Sequence, residues 1–88
     1  MPTIAWFYGI AIRMYVKDHP PPHFHAIYGE FEANVAIATG EVIAGELPRA
    51  AARLVKDWAM LNQTALMRNW DHARLDIQPE RIAGLDAD

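Results

Sequence analysis

The sequence predicts an α+β fold: an antiparallel β-meander of four or five strands over about residues 3–44, packed against a C-terminal helix or helix pair at about 48–74. Two observations carry this. Apolar residues alternate with period two at 10–17 and 31–37, between short turns bearing glycine or proline, as half-buried strands require. From Pro48 onward the apolar spacing changes to that of a helix. At 88 residues the chain has the size of one domain over 1–88, with a limited core.

The elements follow in order. Residues 3–8 read as a first strand, with Ile4, Trp6 and Tyr8 on one side and Thr3, Ala5 and Phe7 on the other. Tyr8-Gly9 forms a tight turn. In the next run, Ile10, Ile12, Met14 and Val16 face one way, and Ala11, Arg13, Tyr15 and Lys17 face the other. Three consecutive prolines then end pairing, because each lacks an N–H and restricts the residue before it.

A third strand, His23 to Tyr28, turns at Gly29-Glu30 into a fourth, Phe31 to Ala38, whose apolar row is Phe31, Ala33, Val35 and Ile37. Thr39-Gly40 turns into a short fifth strand, Glu41 to Ala44. Pro48 is suited to the first turn of a helix. Leu47, Ala51, Leu54, Val55 and Trp58 form one helical stripe, and Leu66, Met67, Trp70 and Ala73 a second, with Asn62 or Thr64 as cap between them. One bent helix over 48–74 is the alternative. Trp58 and Trp70 lie on these stripes and are expected in the core. The tail after Gln78-Pro79 reads as irregular, with a brief extended piece at Arg81-Ile82.

Composition excludes several functions. With no cysteine there is neither a disulfide nor a thiolate metal site, which fits a cytoplasmic setting. The N-terminus does not read as a signal peptide, and no apolar run approaches the ~20 residues of a membrane span. Eight basic and eleven acidic residues leave a net charge of −3. That balance disfavours nucleic-acid binding, although Arg49, Arg53 and Lys56 could form a small basic strip. The second predicted helix has large apolar residues at core spacing, so it does not read as a recognition helix. There is no serine, no Gly-rich phosphate loop, and no base beside Thr3, Thr39 or Thr64.

Chemistry concentrates in Asp18-His19-Pro20-Pro21-Pro22-His23-Phe24-His25. On a strand, His23 and His25 share a face roughly 6.5 Å apart along the backbone, opposite Phe24, Ala26 and Tyr28. Phe24 and Tyr28 are expected to be buried, and His23 and His25 to be reachable by water or a ligand. His19, returning through the proline turn, would make a third ligand for a divalent transition metal such as zinc. Replacing His23 and His25 by alanine would then change stability by no more than about 1 kcal/mol, as surface substitutions do. Asp18 either orients an imidazole or is an ordinary turn residue. The alternative to a metal site is that the histidines contact another ligand or partner, or cap turn carbonyls and stack on aromatics. His-x-His followed by Glu30 is shared with cupins, but Lys17 stands where their glycine belongs and no second motif follows.

The residues Phe7-Tyr8-Gly9-Ile10, Met14-Tyr15, Asp18-His19, Pro21-Pro22-His23-Phe24-His25-Ala26 and Tyr28-Gly29-Glu30, after an opening Met1-Pro2-Thr3-Ile4, resemble domain of unknown function family 4160. Gly40-Glu41-Val42, Leu47-Pro48, Trp58 and Trp70 continue the resemblance to near Ile82. The chain departs from the pattern at Thr64-Ala65, where an acidic residue is common, and at Ile82-Ala83-Gly84-Leu85, where Ile-x-Pro-Leu is usual. The resemblance implies a small cytoplasmic bacterial protein, often encoded beside another small protein in an arrangement suggestive of toxin–antitoxin pairs.

Three functions follow as expectations. The first is a protein-binding or regulatory module whose partner is another small protein, or a second copy in a homo-oligomer. The second is a metal-dependent hydrolase or nuclease using His19, His23 and His25, with Asp18 or Glu30 as base or further ligand. The third is a nucleic-acid-binding repressor.

Overall fold

The computed structural model describes residues 3–86. The Met1-Pro2 opening of the motif lies outside them. Five strands, β1 (Thr3–Phe7), β2 (Ile10–Arg13), β3 (His23–Tyr28), β4 (Phe31–Ala36) and β5 (Val42–Gly45), form one antiparallel sheet in the order β1-β2-β3-β4-β5. Two helices follow, α1 (Arg49–Leu61) and α2 (Gln63–Arg74). The α+β architecture predicted from period alone is the one observed.

Turn chemistry sets the register. Tyr8 and Gly9 both take positive φ (50° and 79°), the two-residue turn whose twist matches flanking strands, and Phe7 pairs with Ile10 across it. In β1 the register shifts between Thr3 and Ala5, so the consecutive residues Ile4 and Ala5 are both buried. A second shift, between Asn34 and Val35, bends β5. There Gly45 has φ +73°, and any Cβ would overlap the carbonyl oxygen of Glu32, which accepts from Glu46 N–H. Only glycine meets both conditions.

One sheet face carries Ile10, Ile12, Phe24, Ala26, Ala33 and Val35, all buried. The helices supply Ala51, Val55, Trp58, Leu66, Trp70 and Ala73 to the same core. Trp58 is its centre, 5.3 Å from the Phe7 ring and edge-on to Phe24 at 5.6 Å. Each valine, leucine, isoleucine or phenylalanine side chain among them contributes about 1.5–3 kcal/mol on leaving water, against the entropy of ordering the chain.

Helix boundaries follow from caps. Pro48 is the N-cap residue of α1, just outside the helix, and its carbonyl accepts from Ala52 N–H. Asn62 (φ −126°, ψ 28°) interrupts the helical path, so the region is two helices and not one bent helix. Asn62 occupies the N-cap position of α2 as expected, yet its side-chain amide serves the other helix, donating to Trp58 O at 2.8 Å. Gln63 Nε2 bridges to the Ile37 and Ala59 carbonyls.

Several expectations are corrected. The second strand stops at Arg13, not Lys17: Val16 is exposed, and Lys17 takes φ 58° with its N–H donating to Ala73 O at the end of α2. The fourth ends at Ala36, two residues early, and Phe31 and Met67 are exposed members of their apolar rows. Tyr28, expected to be buried, is 39% exposed at the Gly29-Glu30 end of β3. The tail is irregular but not loose. Ile82 N–H donates to Ile4 O on the outer edge of β1, Ala83 O accepts from Trp58 Nε1, and buried Asn69 makes two hydrogen bonds to the Glu80 backbone. The β1 edge is thereby covered, which removes one site for unwanted strand pairing.

Candidate functional site

The candidate site lies where β3 begins, on the sheet face away from Phe24. The β2–β3 connection, residues 14–22, carries Asp18 to it and is pinned at both ends. Lys17 N–H donates to Ala73 O at 3.1 Å, and Ile37 N–H to Pro22 O at 3.1 Å. The Pro20–Pro21 peptide is cis.

One carboxylate oxygen meets two imidazoles. Asp18 Oδ2 lies 3.0 Å from His23 Nε2 and 3.0 Å from His25 Nε2. Three ligand atoms, one from each of Asp18, His23 and His25, lie within 4.8 Å of one another. The side chains are 21%, 7% and 14% exposed, respectively. Burial works to raise the pKa of Asp18. The hydrogen bond from His25, the backbone N–H of His19, and the charges of His23 and His25 together outweigh it, so the carboxyl sits below its ordinary value.

The far side of each ring also faces oxygen. His23 Nδ1 lies 2.8 Å from Pro21 O, a pure acceptor, so Nδ1 carries the hydrogen. His25 Nδ1 is 3.5 Å from Glu32 Oε2 without hydrogen-bond alignment, and is buried with no other partner among the described residues. The rings are held by aromatic neighbours. Trp70 stands 5.3 Å from His23, and Tyr15 meets His25 edge-on at 4.3 Å.

This corrects the expectation of two exposed histidines. The faces alternate as predicted, with Phe24 buried in the core and the histidines opposite it. However, His23 is only 6% exposed while Tyr28 is 39% exposed, because Trp70 and the proline segment cover the start of β3. Nor is Asp18 an ordinary turn residue.

Of the residues singled out from sequence, Asp18, His23 and His25 come together. His19 is exposed; its backbone N–H bonds Asp18 Oδ1, but its ring is not in the group. Glu30 lies in the β3–β4 turn, and the acidic side chain beside His25 is Glu32. Sequence reasoning missed Glu32, Tyr15 and Trp70 as neighbours. Tyr15 continues in sequence the alternating row of Ala11 and Arg13, although it lies past the end of β2, but Glu32 and Trp70 needed the register and the helix docking. Among the described residues no helix is long and apolar enough to cross a membrane.

Fold and site together define a small α+β protein with a histidine–carboxylate cluster set into one end of a five-stranded meander. It belongs to the family described as Domain of unknown function (DUF4160), which it matches over residues 9–71, a span holding the whole cluster. No curated protein and no solved structure matches the chain.

Proposed function

We propose that this protein binds a divalent transition metal, zinc by the character of its donors, through Asp18, His23 and His25. The supporting observation is the proton inventory of His23. With its hydrogen on Nδ1, facing Pro21 O, a neutral ring turns the bare lone pair of Nε2 toward Asp18 Oδ2 at 3.0 Å. Two lone pairs at that distance repel. A positive centre between them, either a second ring proton or a metal ion, makes the contact favourable.

A metal ion suits both rings at once. His23 and His25 would bind through Nε2; His23 Nδ1–H keeps its hydrogen bond to Pro21 O, the kind of outer contact that orients a ligating histidine, while His25 Nδ1 stands 3.5 Å from the Glu32 carboxylate. Three donors around tetrahedral zinc stand roughly 3.3 Å apart, at bond lengths of about 2.0–2.2 Å; the two contacts of Asp18 Oδ2, at 3.0 Å each, are close to this, and all three donors already lie within 4.8 Å of one another. Two nitrogens and one carboxylate oxygen suit zinc and its neighbours better than magnesium or calcium. Three protein ligands leave a position open, the arrangement used in metal-dependent hydrolysis.

The test is metal analysis of protein made without a polyhistidine tag, followed by zinc titration. About one ion per chain is expected, with tight binding lost in His25→Ala and release as pH falls below ~6, where ligating imidazoles take up protons. A native chain that retains no zinc, or a variant that binds it equally well, refutes the reading.

A second reading, a protein-binding module, is favoured by a separate observation. Leu61 and Leu75, at the ends of α1 and α2, are 75% and 70% exposed, with Met60, Met67 and Ile77 also exposed. A small cytoplasmic partner, as in a bacterial toxin–antitoxin-like gene pair, is the form the family resemblance suggests. Leu61→Asp with Leu75→Asp should abolish association with such a partner while leaving zinc binding intact.

A further inference from the structure

Arg13 stands on β2 directly opposite His25 on β3. Opposed residues of an antiparallel pair project from the same face, their Cβ atoms about 4.5–5.5 Å apart. Arg13 therefore flanks the cluster on the side facing β2, and Asn34 flanks His25 on the other side. Arg13 Nε is buried and has no hydrogen-bond partner among the described residues. None of their carboxylates lies within ion-pair distance of Arg13. Asp18 and Glu32 are both directed at His25 instead.

A guanidinium keeps its charge at any relevant pH and offers five donors but no acceptor. Burying one of its N–H groups unpaired is costly, and the described residues make no provision for this one. Once a divalent ion joins His25, two positive centres occupy adjacent positions on one sheet face. What satisfies both is an anion with at least two oxygens, one for the open metal position and one for the arginine fork.

We infer that Arg13 is an anion-recognition residue, and that the ligand of this site is a small oxyanion group, phosphate or carboxylate, held jointly by the metal and Arg13. The inference rests on the metal reading above and adds the ligand class that the metal site takes.

The test uses the full chain loaded with cobalt(II), whose visible spectrum reports changes in coordination. Cobalt is titrated first, then inorganic phosphate and acetate in separate arms, for the native protein, Arg13→Gln and Arg13→Lys. The native spectrum should change on adding phosphate or acetate, and the more effective of the two identifies the oxyanion. Arg13→Gln should bind cobalt within about threefold of native and the anion at least tenfold more weakly. Arg13→Lys, which keeps charge without the fork, should fall between them and covers the case in which the glutamine variant does not fold.

Cobalt binding by the native chain with no response to either anion overturns the inference and leaves the metal reading standing. Equal anion affinity in native protein and the folded arginine variants does the same. If the native chain binds no cobalt, both readings fall, and the first titration shows it.

Discussion

Replacing His23 by alanine tests whether the cluster is part of the structural core as well as a ligand set. The side chain is 6% exposed, packs 5.3 Å from Trp70 and donates from Nδ1 to Pro21 O at 2.8 Å. Losing that hydrogen bond costs about 0.5–1.5 kcal/mol. Removing the ring from a covered site costs roughly 1–2 kcal/mol more, the scale of two buried CH₂ groups. The expected loss is thus about 2–3 kcal/mol, equivalent to a melting temperature lower by on the order of 10–20 °C for a chain this size. Urea denaturation in a chelator, with the native chain in the same buffer, measures it free of any metal contribution. His23→Asn sharpens the test, because its side-chain amide can reach the position of Nδ1 but not that of Nε2. It should recover about 1 kcal/mol of the loss, through the Pro21 hydrogen bond, without restoring zinc binding. A loss below 1 kcal/mol for His23→Ala would refute the reasoning and return His23 to the solvated surface.

Two further outcomes are expected. Asp18 is held below its ordinary value of 3.8, so its ionised form favours the fold above that value, and this contribution is lost as pH falls through the folded-state value. In chelator, the stability advantage of native protein over Asp18→Asn should therefore narrow on acidification from pH 5 to below pH 3; a pH-independent difference would contradict the assignment. Asn69→Ala removes both hydrogen bonds that clamp Glu80 and should cost about 2–3 kcal/mol. Amide exchange at Ile82, bonded to Ile4 O, should accelerate in that variant, and unchanged protection there would show that the tail is held by other contacts.

Strand and helix identity were legible in the sequence because both depend on local period. The rows Ile10-Ile12-Met14 and Ala33-Val35-Ile37, and the stripe residues Ala51, Val55, Trp58, Leu66, Trp70 and Ala73, reached the core as read, whereas Phe31 and Met67 did not. The Asp18-to-His25 segment was legible as the chemical centre because its histidines are dense and its prolines stiffen the link. Where apolar periodicity continued past the end of pairing, at Met14 to Val16, the sequence alone overran, since the chain leaves the sheet there and Lys17 N–H donates to the carbonyl of Ala73, far along the sequence.

Tertiary structure decided the composition of the site. Local spacing marks the face of β3 on which His23 and His25 lie, but not what lies across from them. That Asp18 and not His19 closes the group, that Glu32 and not Glu30 approaches His25, and that Arg13 flanks it depend on strand register and the path of the 14–22 connection. The burial of His23 depends on where α2 sets Trp70. Period-two and helical patterns record which side of an element is apolar. Contacts between residues distant in sequence arise only when those elements pack, and they made two histidines expected in water into a largely buried pair sharing one carboxylate oxygen.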